Sequence, residues 1–220
     1  VAGKLSSKMS GRLAKAEAEL SEKTVSKRYD HRIGEFGVAA RSSCVAHLEA
    51  SRLSAGEFSI DVPELWISPT DHVVLTGANG TGKSLVVRSV IESVPENVKV
   101  AYVPQDVGPE ERERALRQLR DQDQETKGRI LSIVARLNSD PDKLLDGDDL
   151  SPGELRKLML AEQLVTNPNL LVLDEPTNHL DVDAKDELKR ALSEYKGSIL
   201  LVCHEPEFYD GLVTDVWNLE

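Results

Sequence analysis

The chain has 220 residues, of which 40% are hydrophobic, and its formal net charge is −11 at pH 7. This length and composition suit one medium α/β domain with an appendage rather than two full domains. The acidic balance argues against a surface that coats nucleic acid along the whole chain. No apolar run approaches the ~18 residues of a membrane span. The two cysteines, Cys44 and Cys203, lie far apart without metal-ligand spacing, which favours a reducing, cytoplasmic location.

The first predicted element is an amphipathic helix over Lys4–Glu22, because apolar residues recur there at spacings of three and four. We expect its apolar face to pair with another helix or with the domain body. Residues 1–36 hold eight Lys/Arg against five Asp/Glu, so contact with a polyanion would begin in this leader. Thr24–Ser43 is polar and irregular and predicts a linker. Since the chain starts with valine inside a predicted helix, we expect a fragment of a longer protein.

Three short strands are predicted before residue 70, over Cys44–Ala50, Phe58–Val62 and Leu65–Ile67. Turn signals at Ser54-Ala55-Gly56 and at Pro63 separate them. Because no helix lies between these strands, we expect them to pair antiparallel.

The next stretch contains the motif G-x-x-x-x-G-K-S between an apolar strand and a helix, which is the context of a phosphate-binding loop. Its glycines let backbone N–H groups wrap an anion closely, and the helix N-terminus adds further donors. Lys83 can reach the β- and γ-phosphates, and the Ser84 hydroxyl can bind Mg²⁺. The loop residues that we expect to bind nucleotide are Gly77, Asn79, Gly80, Thr81, Gly82, Lys83 and Ser84.

Strands and helices alternate after this loop, which predicts a mostly parallel sheet wrapped by helices. The predicted strands are 98–103, 169–174 and 198–203, and the predicted helices lie near 109–122, 125–138, 153–166 and 183–195.

Two carboxylates follow the aliphatic run that ends at Leu173, and we expect them at the carboxyl end of a central strand, where ligands bind in α/β sheets. Asp174 suits the position of a Mg²⁺ ligand. Glu175 can act as a general base on a water molecule aimed at the γ-phosphate. A charged strand end without a function is the alternative, and the phosphate loop makes it the weaker one.

The segment Leu150-Ser151-Pro152-Gly153-Glu154 has two interpretations. Ser-x-x-Glu is a capping box, and proline suits the first helical position, so the segment can simply begin a helix. The same helix start, with the Ser151 hydroxyl and the Gly153 N–H, can also bind a γ-phosphate. Residues 150–154 alone leave both interpretations open.

Taken in order, these motifs resemble the ATPase cassette of the ABC superfamily over about residues 44–220. The order is the phosphate loop, Gln105 after a strand, Leu-Ser-Pro-Gly-Glu, the acidic strand end, Pro176-Thr177-Asn178-His179-Leu180-Asp181 and His204. The resemblance implies an N-terminal antiparallel β-subdomain and a short helical subdomain at about 107–165. It divides the chain into a linker helix and connection (1–40) and a cassette (41–220).

The resemblance also implies roles for individual residues. Gln105 would contact Mg²⁺ and the attacking water, and His204 would contact the γ-phosphate. Ser151 and Gly153 would complete the nucleotide site of a facing cassette, with Asp181 at the interface between the two. ATP and Mg²⁺ are therefore the expected ligands, and the expected partner is a second cassette, in the same full-length chain or in a head-to-tail homodimer.

The run Glu-Pro-Thr-Asn-His-Leu-Asp at 175–181 looks particularly like ABC-F proteins, which are twin-cassette ATPases that act on ribosomes. The octapeptide Leu-Ser-Pro-Gly-Glu-Leu-Arg-Lys resembles the ABC-F branch that protects ribosomes from antibiotics. The alternative is the ATPase subunit of a membrane transporter. The short interval from Ser84 to Ser151 fits ABC-F better, because transporter cassettes usually have a longer helical segment there.

The sequence departs from the family pattern at three places. Proline at 152 replaces a glycine of the usual signature, although Gly153 remains. Glu205 stands where the family usually has aspartate after the histidine. No aromatic residue occupies an obvious adenine-stacking position; Phe58 is the better candidate and His47 the poorer one.

Overall fold

Nine strands and seven helices form within the residues that the structure describes, which in this computed structural model are 37–105, 108–146 and 150–219. The strands are β1 (Ala46–Leu48), β2 (Ser51–Ala55), β3 (Phe58–Val62), β4 (Leu65–Ile67), β5 (His72–Gly77), β6 (Val100–Val103), β7 (Leu170–Asp174), β8 (Ser198–Val202) and β9 (Asp215–Leu219). The helices are α1 (Lys83–Glu92), α2 (Pro109–Asp121), α3 (Gln124–Arg136), α4 (Pro141–Asp146), α5 (Pro152–Val165), α6 (Val182–Ser193) and α7 (Pro206–Tyr209).

A five-stranded sheet in the order β6-β7-β8-β5-β9 forms the centre of the fold, and each neighbouring pair of its strands is parallel. All five residues of β7 and all five of β8 are buried. Strands covered on both faces need continuous aliphatic sequence, and Leu170–Leu173 and Ile199–Val202 supply it. The predicted α/β fold with a parallel sheet is confirmed.

The N-terminal strands form two antiparallel ladders, β1 with β4 and β2 with β3. The prediction of antiparallel pairing is therefore confirmed, but the turn predicted at Ser54-Ala55-Gly56 is displaced. Strand β2 continues through Ala55, and the chain reverses at Gly56, whose φ of 61° is the left-handed conformation that glycine tolerates.

Helices α2 to α5 all lie between β6 and β7 in the chain, where the short helical subdomain was expected. Asp123 caps α3 by accepting hydrogen bonds from the N–H groups of Glu125 and Thr126. The apolar sides of these helices meet in one buried cluster that includes Leu119, Ile130 and Leu158. This packing joins the helical segment to the sheet, since buried residues of β6 and β7 belong to the same cluster.

Four elements were not predicted: β2, which begins after the predicted strand Cys44–Ala50 and includes part of the predicted turn, and α4, α7 and β9. The two helices are six and four residues long, so neither can show a clear apolar period. Among the described strands, β9 pairs with β5 alone, and it is exposed along much of its length. An edge strand with one partner needs no continuous aliphatic run, which explains why Asp215–Leu219 gave no strand signal.

The predicted helix Lys4–Glu22 and most of the predicted linker fall on residues 1–36, which lie outside the described ranges. The division at residue 40 therefore stays a prediction. Among residues 37–105, 108–146 and 150–219, no helix is long and apolar enough to span a bilayer. Both cysteines are free thiols, with Cys203 buried and Cys44 partly exposed.

Candidate nucleotide site

The loop between β5 and α1 has the conformation that its glycines allow. Gly77, Gly80 and Gly82 adopt φ values of 144°, 84° and 95°. A Cβ added at Gly77 would lie 2.6 Å from the Leu219 carbonyl oxygen, and one at Gly82 would lie 2.9 Å from Cε1 of Phe58. Glycine is therefore favoured at both positions by conformation, and at Gly77 the backbone carbonyl also leaves no room for a Cβ. The result is a narrow turn of backbone that leads into the N-terminus of α1.

The side chains of this loop hold it closed. Lys83 donates hydrogen bonds from Nζ to the carbonyls of Gly77 (2.8 Å) and Ala78 (2.9 Å). The Thr81 hydroxyl donates to the Ala78 carbonyl at 2.9 Å. The lysine ammonium thus lies over the loop, and Ser84 follows it in the first turn of α1. This donor set suits the phosphates of a nucleotide, which are the anions that such loops bind.

Two buried carboxylates lie at the carboxyl end of β7, as predicted. Asp174 and Glu175 are each only 7% exposed. Asp174 is the last residue of β7, and the Tyr102 hydroxyl on β6 hydrogen-bonds to it; burial, the Asp174 charge and this bond raise the Tyr102 pKa. Glu175 turns out of the sheet with a φ of 48°, while its N–H still donates to the Val202 carbonyl at 2.9 Å.

His204 faces Glu175 from the loop after β8. Its Nε2 lies 3.0 Å from Oε1 of Glu175, but the pair is not aligned as a hydrogen bond, and that oxygen has no hydrogen-bond donor among the described residues. Burial raises the pKa of Glu175, and the charge of Asp174 raises it further, while His204 and Lys83 oppose the shift. A carboxylate with raised pKa and a free lone pair suits a general base.

Gln105 lies two residues beyond the end of β6, beside β7. Its carbonyl accepts a hydrogen bond from Nη1 of Arg156 at 2.7 Å. The backbone at Gln105 is therefore fixed by a residue of α5, and the sequence pattern gave no sign of this contact.

Nine of the predicted residues meet in one cleft of about 640 Å³, whereas Gly77 and Thr81 of the phosphate loop do not line it. Its lining residues are Phe58, Asn79, Gly80, Gly82, Lys83, Ser84, Gln105, Asp174, Glu175, Asn178, His204 and Glu205. Asn178 and Glu205 were not predicted as site residues, although each stands inside a motif that was recognised. Phe58 lies in the cleft, whereas His47 stacks on Trp66 with ring centroids 3.7 Å apart and does not line it.

Ser151, Gly153 and Asp181 do not line this cleft. Ser151 caps α5 in a complete capping box with Glu154. A Cβ at Gly153 would lie 3.0 Å from the His179 carbonyl oxygen. Asp181 caps α6 through Ala184 N–H and also accepts from Asn138 Nδ2 at 3.2 Å. The structure thus gives Ser151 and Asp181 local roles as helix caps, and their roles in a facing cassette stay predictions.

The residues present fit Mg²⁺ as a partner of nucleotide phosphates. In the part of the chain that the structure describes, no group of three or more His, Cys, Asp or Glu could hold a metal ion alone. Mg²⁺ commonly takes one or two protein ligands and fills its other positions with phosphate oxygens and water. Ser84 and Asp174, which line the same cleft, supply such a pair, and Gln105 lies beside them.

Comparison with known proteins agrees with this geometry. The family model described as "ABC transporter" matches residues 91–178. The "Uncharacterized ABC transporter ATP-binding protein YfmM" of Bacillus subtilis is 38% identical over 159 residues, covering 67% of this chain and 31% of that protein. The "ATP-binding protein Uup" of Escherichia coli, which is of the ABC-F type, is 29% identical over 211 residues, covering 73% of this chain and 33% of that protein. The chain thus spans about a third of the length of these relatives.

Solved structures show the same fold. The ATP-binding subunit of an ABC transporter superposes with a TM-score of 0.65 at 20% identity, covering 80% of this chain and 86% of that one. A bacterial Atm1-family ABC exporter with ATP bound gives a TM-score of 0.64 at 16% identity, covering 86% of this chain and 39% of that one.

Proposed function

Since the chain belongs to the ABC family of ATP-binding cassettes, we propose that it hydrolyses ATP as half of a cassette pair in an ABC-F type protein that acts on the ribosome. The observation that supports hydrolysis is the arrangement of the cleft. The phosphate loop, the Asp174-Glu175 pair and His204 approach it from three different segments of the chain.

Each residue has a task in this proposal. The backbone N–H groups of the phosphate loop and Lys83 bind the phosphates. Glu175, which is buried and has a raised pKa, accepts a proton from the attacking water. His204 lies within 3.0 Å of that carboxylate and contacts the γ-phosphate. Mg²⁺, when bound at Ser84 and Asp174 with Gln105 nearby, supplies positive charge that offsets the charge of the phosphates.

The cassette needs a partner in this proposal, because Ser151 and Gly153 lie outside the cleft of their own chain. They would complete the site of a facing cassette, and Asp181 would lie at the interface. ATP bound between the two cassettes would hold them closed, and hydrolysis would release them. One cassette alone should therefore hydrolyse ATP slowly.

The ribosome is the proposed target because the chain resembles ABC-F type proteins such as Uup and YbiT. ABC-F proteins act in the cytoplasm, where ribosomes and ATP are present, and we place this protein there. Within that group, the resemblance of Leu-Ser-Pro-Gly-Glu-Leu-Arg-Lys supports a role in protecting ribosomes from antibiotics.

The test uses the full-length protein with Glu175→Gln and the equivalent change in its second cassette. Without the base, the pair should bind ATP, stay closed and remain on its target. ATP-dependent co-sedimentation with ribosomes supports the proposal, and drug-protection assays then follow. If the variant binds ATP but ignores ribosomes at near-physiological salt, the ribosomal role is wrong. A membrane partner, as for a transporter subunit, would then be the next target to test.

A further inference from the structure

Arg156 connects helix α5 to the ends of two strands that supply the cleft. Its side chain is buried, with 4% of the residue exposed. Nη1 donates to the carbonyl of Gln105 at 2.7 Å, and Nη2 donates to the carbonyl of Asp174. One guanidinium group therefore bonds to the backbone of two of the three residues that are expected near Mg²⁺, Gln105 and Asp174. Its planar fork of donors allows this double contact.

The Arg156 contacts lie just beyond the point where the hydrogen-bonded ladder between β6 and β7 ends. The paired register of β6 and β7 ends at Val103 and Leu173. The residue that follows β6 is Pro104, which has no N–H and cannot donate to a continued ladder. Arg156 supplies the link just beyond this point, so the spacing between Gln105 and Asp174 depends on it.

Arg156 itself belongs to α5, the helix whose N-terminus Ser151 caps. Arg156 is the fifth residue of α5 and lies a little over one turn from the Ser151 cap. Movement of the α5 N-terminus would therefore be transmitted to the backbone at Gln105 and Asp174.

We propose that Arg156 is a positioning residue of the ATPase site, which holds Gln105 and Asp174 at the separation that Mg²⁺-dependent hydrolysis requires. The proposal rests on the proposed ATPase function. Arg156 bonds to backbone carbonyls and does not line the cleft, so it acts through Gln105 and Asp174. Displacements of about 1 Å in such sites lower rates by about 100-fold. We therefore expect its loss to lower kcat by about 10- to 100-fold.

The experiment compares two variants with a matched control in the full-length protein. Arg156→Met keeps the length of the side chain and removes the donors. Arg156→Lys keeps the charge, but one ammonium group reproduces the planar double contact poorly. The control is Lys99→Met, because Lys99 also joins the β6 region to α5, through Nζ and the Thr166 carbonyl at 2.6 Å, but at the opposite end of both elements.

Three quantities separate positioning from stability: kcat at saturating ATP, the thermal unfolding midpoint, and the Kd of a fluorescent ATP analogue with and without Mg²⁺. For Arg156→Met we expect the lowered kcat, an unchanged Kd without Mg²⁺, and loss of most of the Mg²⁺-dependent gain in affinity. Arg156→Lys should lie between Met and the parent protein, and Lys99→Met should match the parent in kcat and Kd. These assays are run well below the unfolding midpoint of each variant.

Several results would overturn the inference. A kcat and an Mg²⁺ dependence of Arg156→Met equal to those of the parent protein would do so. An equal fall in kcat for Lys99→Met would also do so, since such a fall would reflect a general loss of packing. If Arg156→Met does not fold, Arg156→Lys decides, and parental behaviour there overturns the inference. If the parent protein itself neither binds nor hydrolyses ATP, the proposed function is wrong. The inference about Arg156 rests on that function and would then be wrong as well.

Discussion

Glu175 and His204 are 29 positions apart in the chain, yet Oε1 of the first lies 3.0 Å from Nε2 of the second. The parallel ladder of β7 and β8 brings them together. Asp174 pairs with Val202, and the Glu175 N–H continues the contact by donating to the Val202 carbonyl. Because parallel strands end at the same edge of a sheet, the residues that follow each strand become neighbours. The register of β7 and β8 thus determines which carboxylate lies next to His204.

The pH dependence of hydrolysis should reflect the environment of Glu175. Because burial raises the pKa of this carboxyl group, the acid limb of the kcat profile should lie above the ordinary glutamate value of about 4.3. As the pH falls through the raised pKa, the base takes up a proton and kcat falls. Glu175→Gln should lower kcat by about 10²- to 10⁴-fold at pH values above this pKa, and its profile should lack this acid limb.

Steady-state phosphate release from pH 4 to pH 9 gives the profile. Glu113→Gln is the matched control, because Glu113 is an exposed glutamate on α2 with 74% of its side chain accessible. Its profile should coincide with that of the parent protein. An acid limb near pH 4, or a profile for Glu175→Gln equal to the parental one, would show that Glu175 is not the base.

Lys83 should affect both nucleotide affinity and the base. Its ammonium group lies over the phosphate loop, and its charge opposes the rise in the Glu175 pKa. Lys83→Met should therefore weaken ATP binding by at least about tenfold, which equals 1.4 kcal/mol. The acid limb of any residual activity should also move to higher pH. Equilibrium binding and the same pH series test both effects. Arg117→Met, on the exposed surface of α2, should leave both unchanged.

Local sequence was enough to locate the phosphate loop and the acidic strand end that border the cleft, because each of these two motifs is continuous in the chain. The phosphate loop and the acidic end of β7 each lie within eight residues, and their flanking strands are aliphatic. The contacts of Arg156 could not be predicted in the same way. Gln105 and Asp174 are 51 and 18 residues from it, and no periodic pattern relates an arginine to a distant backbone carbonyl.

Edge elements were also missed, for a related reason. Strand β9 contributes the Leu219 carbonyl that excludes a Cβ at Gly77, so an unpredicted strand shapes the phosphate loop. Its pairing depends on β5, which lies about 140 residues earlier in the chain. Such pairing depends on tertiary structure, and β-propensity is a weak guide where only one neighbour is present.

Phe58 should contribute to binding the adenine base. Its ring lies against Gly82 in the cleft, and the residue is 43% exposed. A base stacked on an aromatic side chain gains about 1–3 kcal/mol. Phe58→Ala should therefore weaken ATP binding by about 5- to 150-fold, while the affinity for inorganic triphosphate should stay the same. Trp66→Ala is the matched control, because Trp66 is an exposed aromatic that stacks on His47 outside the cleft.

Isothermal titration with ATP and with triphosphate distinguishes stacking from loop packing. Equal losses for both ligands in Phe58→Ala would mean that the ring only supports the loop at Gly82. No loss for either ligand would remove Phe58 as the adenine contact.

Glu162 should make stability depend on pH. It lies on α5 with 8% exposure, its Oε1 accepts no hydrogen bond within the described ranges, and burial raises its pKa to about 8. In the unfolded chain a glutamate titrates near 4.3. The folded state therefore holds this proton more tightly, and the stability that Glu162 contributes falls as the pH rises from about 4.3 to about 8.

Glu162→Gln has no such titration, since an amide carries no charge. Relative to this variant, the parent protein should lose up to about 4 kcal/mol of unfolding free energy between pH 5 and pH 8.

Urea unfolding of both proteins at pH 5, 6, 7 and 8 measures this difference directly, and using the difference cancels every other titrating group that the two proteins share. The expected result is a gap that widens steadily with pH in favour of Glu162→Gln. Glu113→Gln should show no widening, because Glu113 is exposed and its side chain stays hydrated in the folded state. A constant gap between parent and Glu162→Gln would mean that Glu162 is ionised in the folded protein at pH 5, through solvent or a cation reaching the cavities beside α5 that it lines.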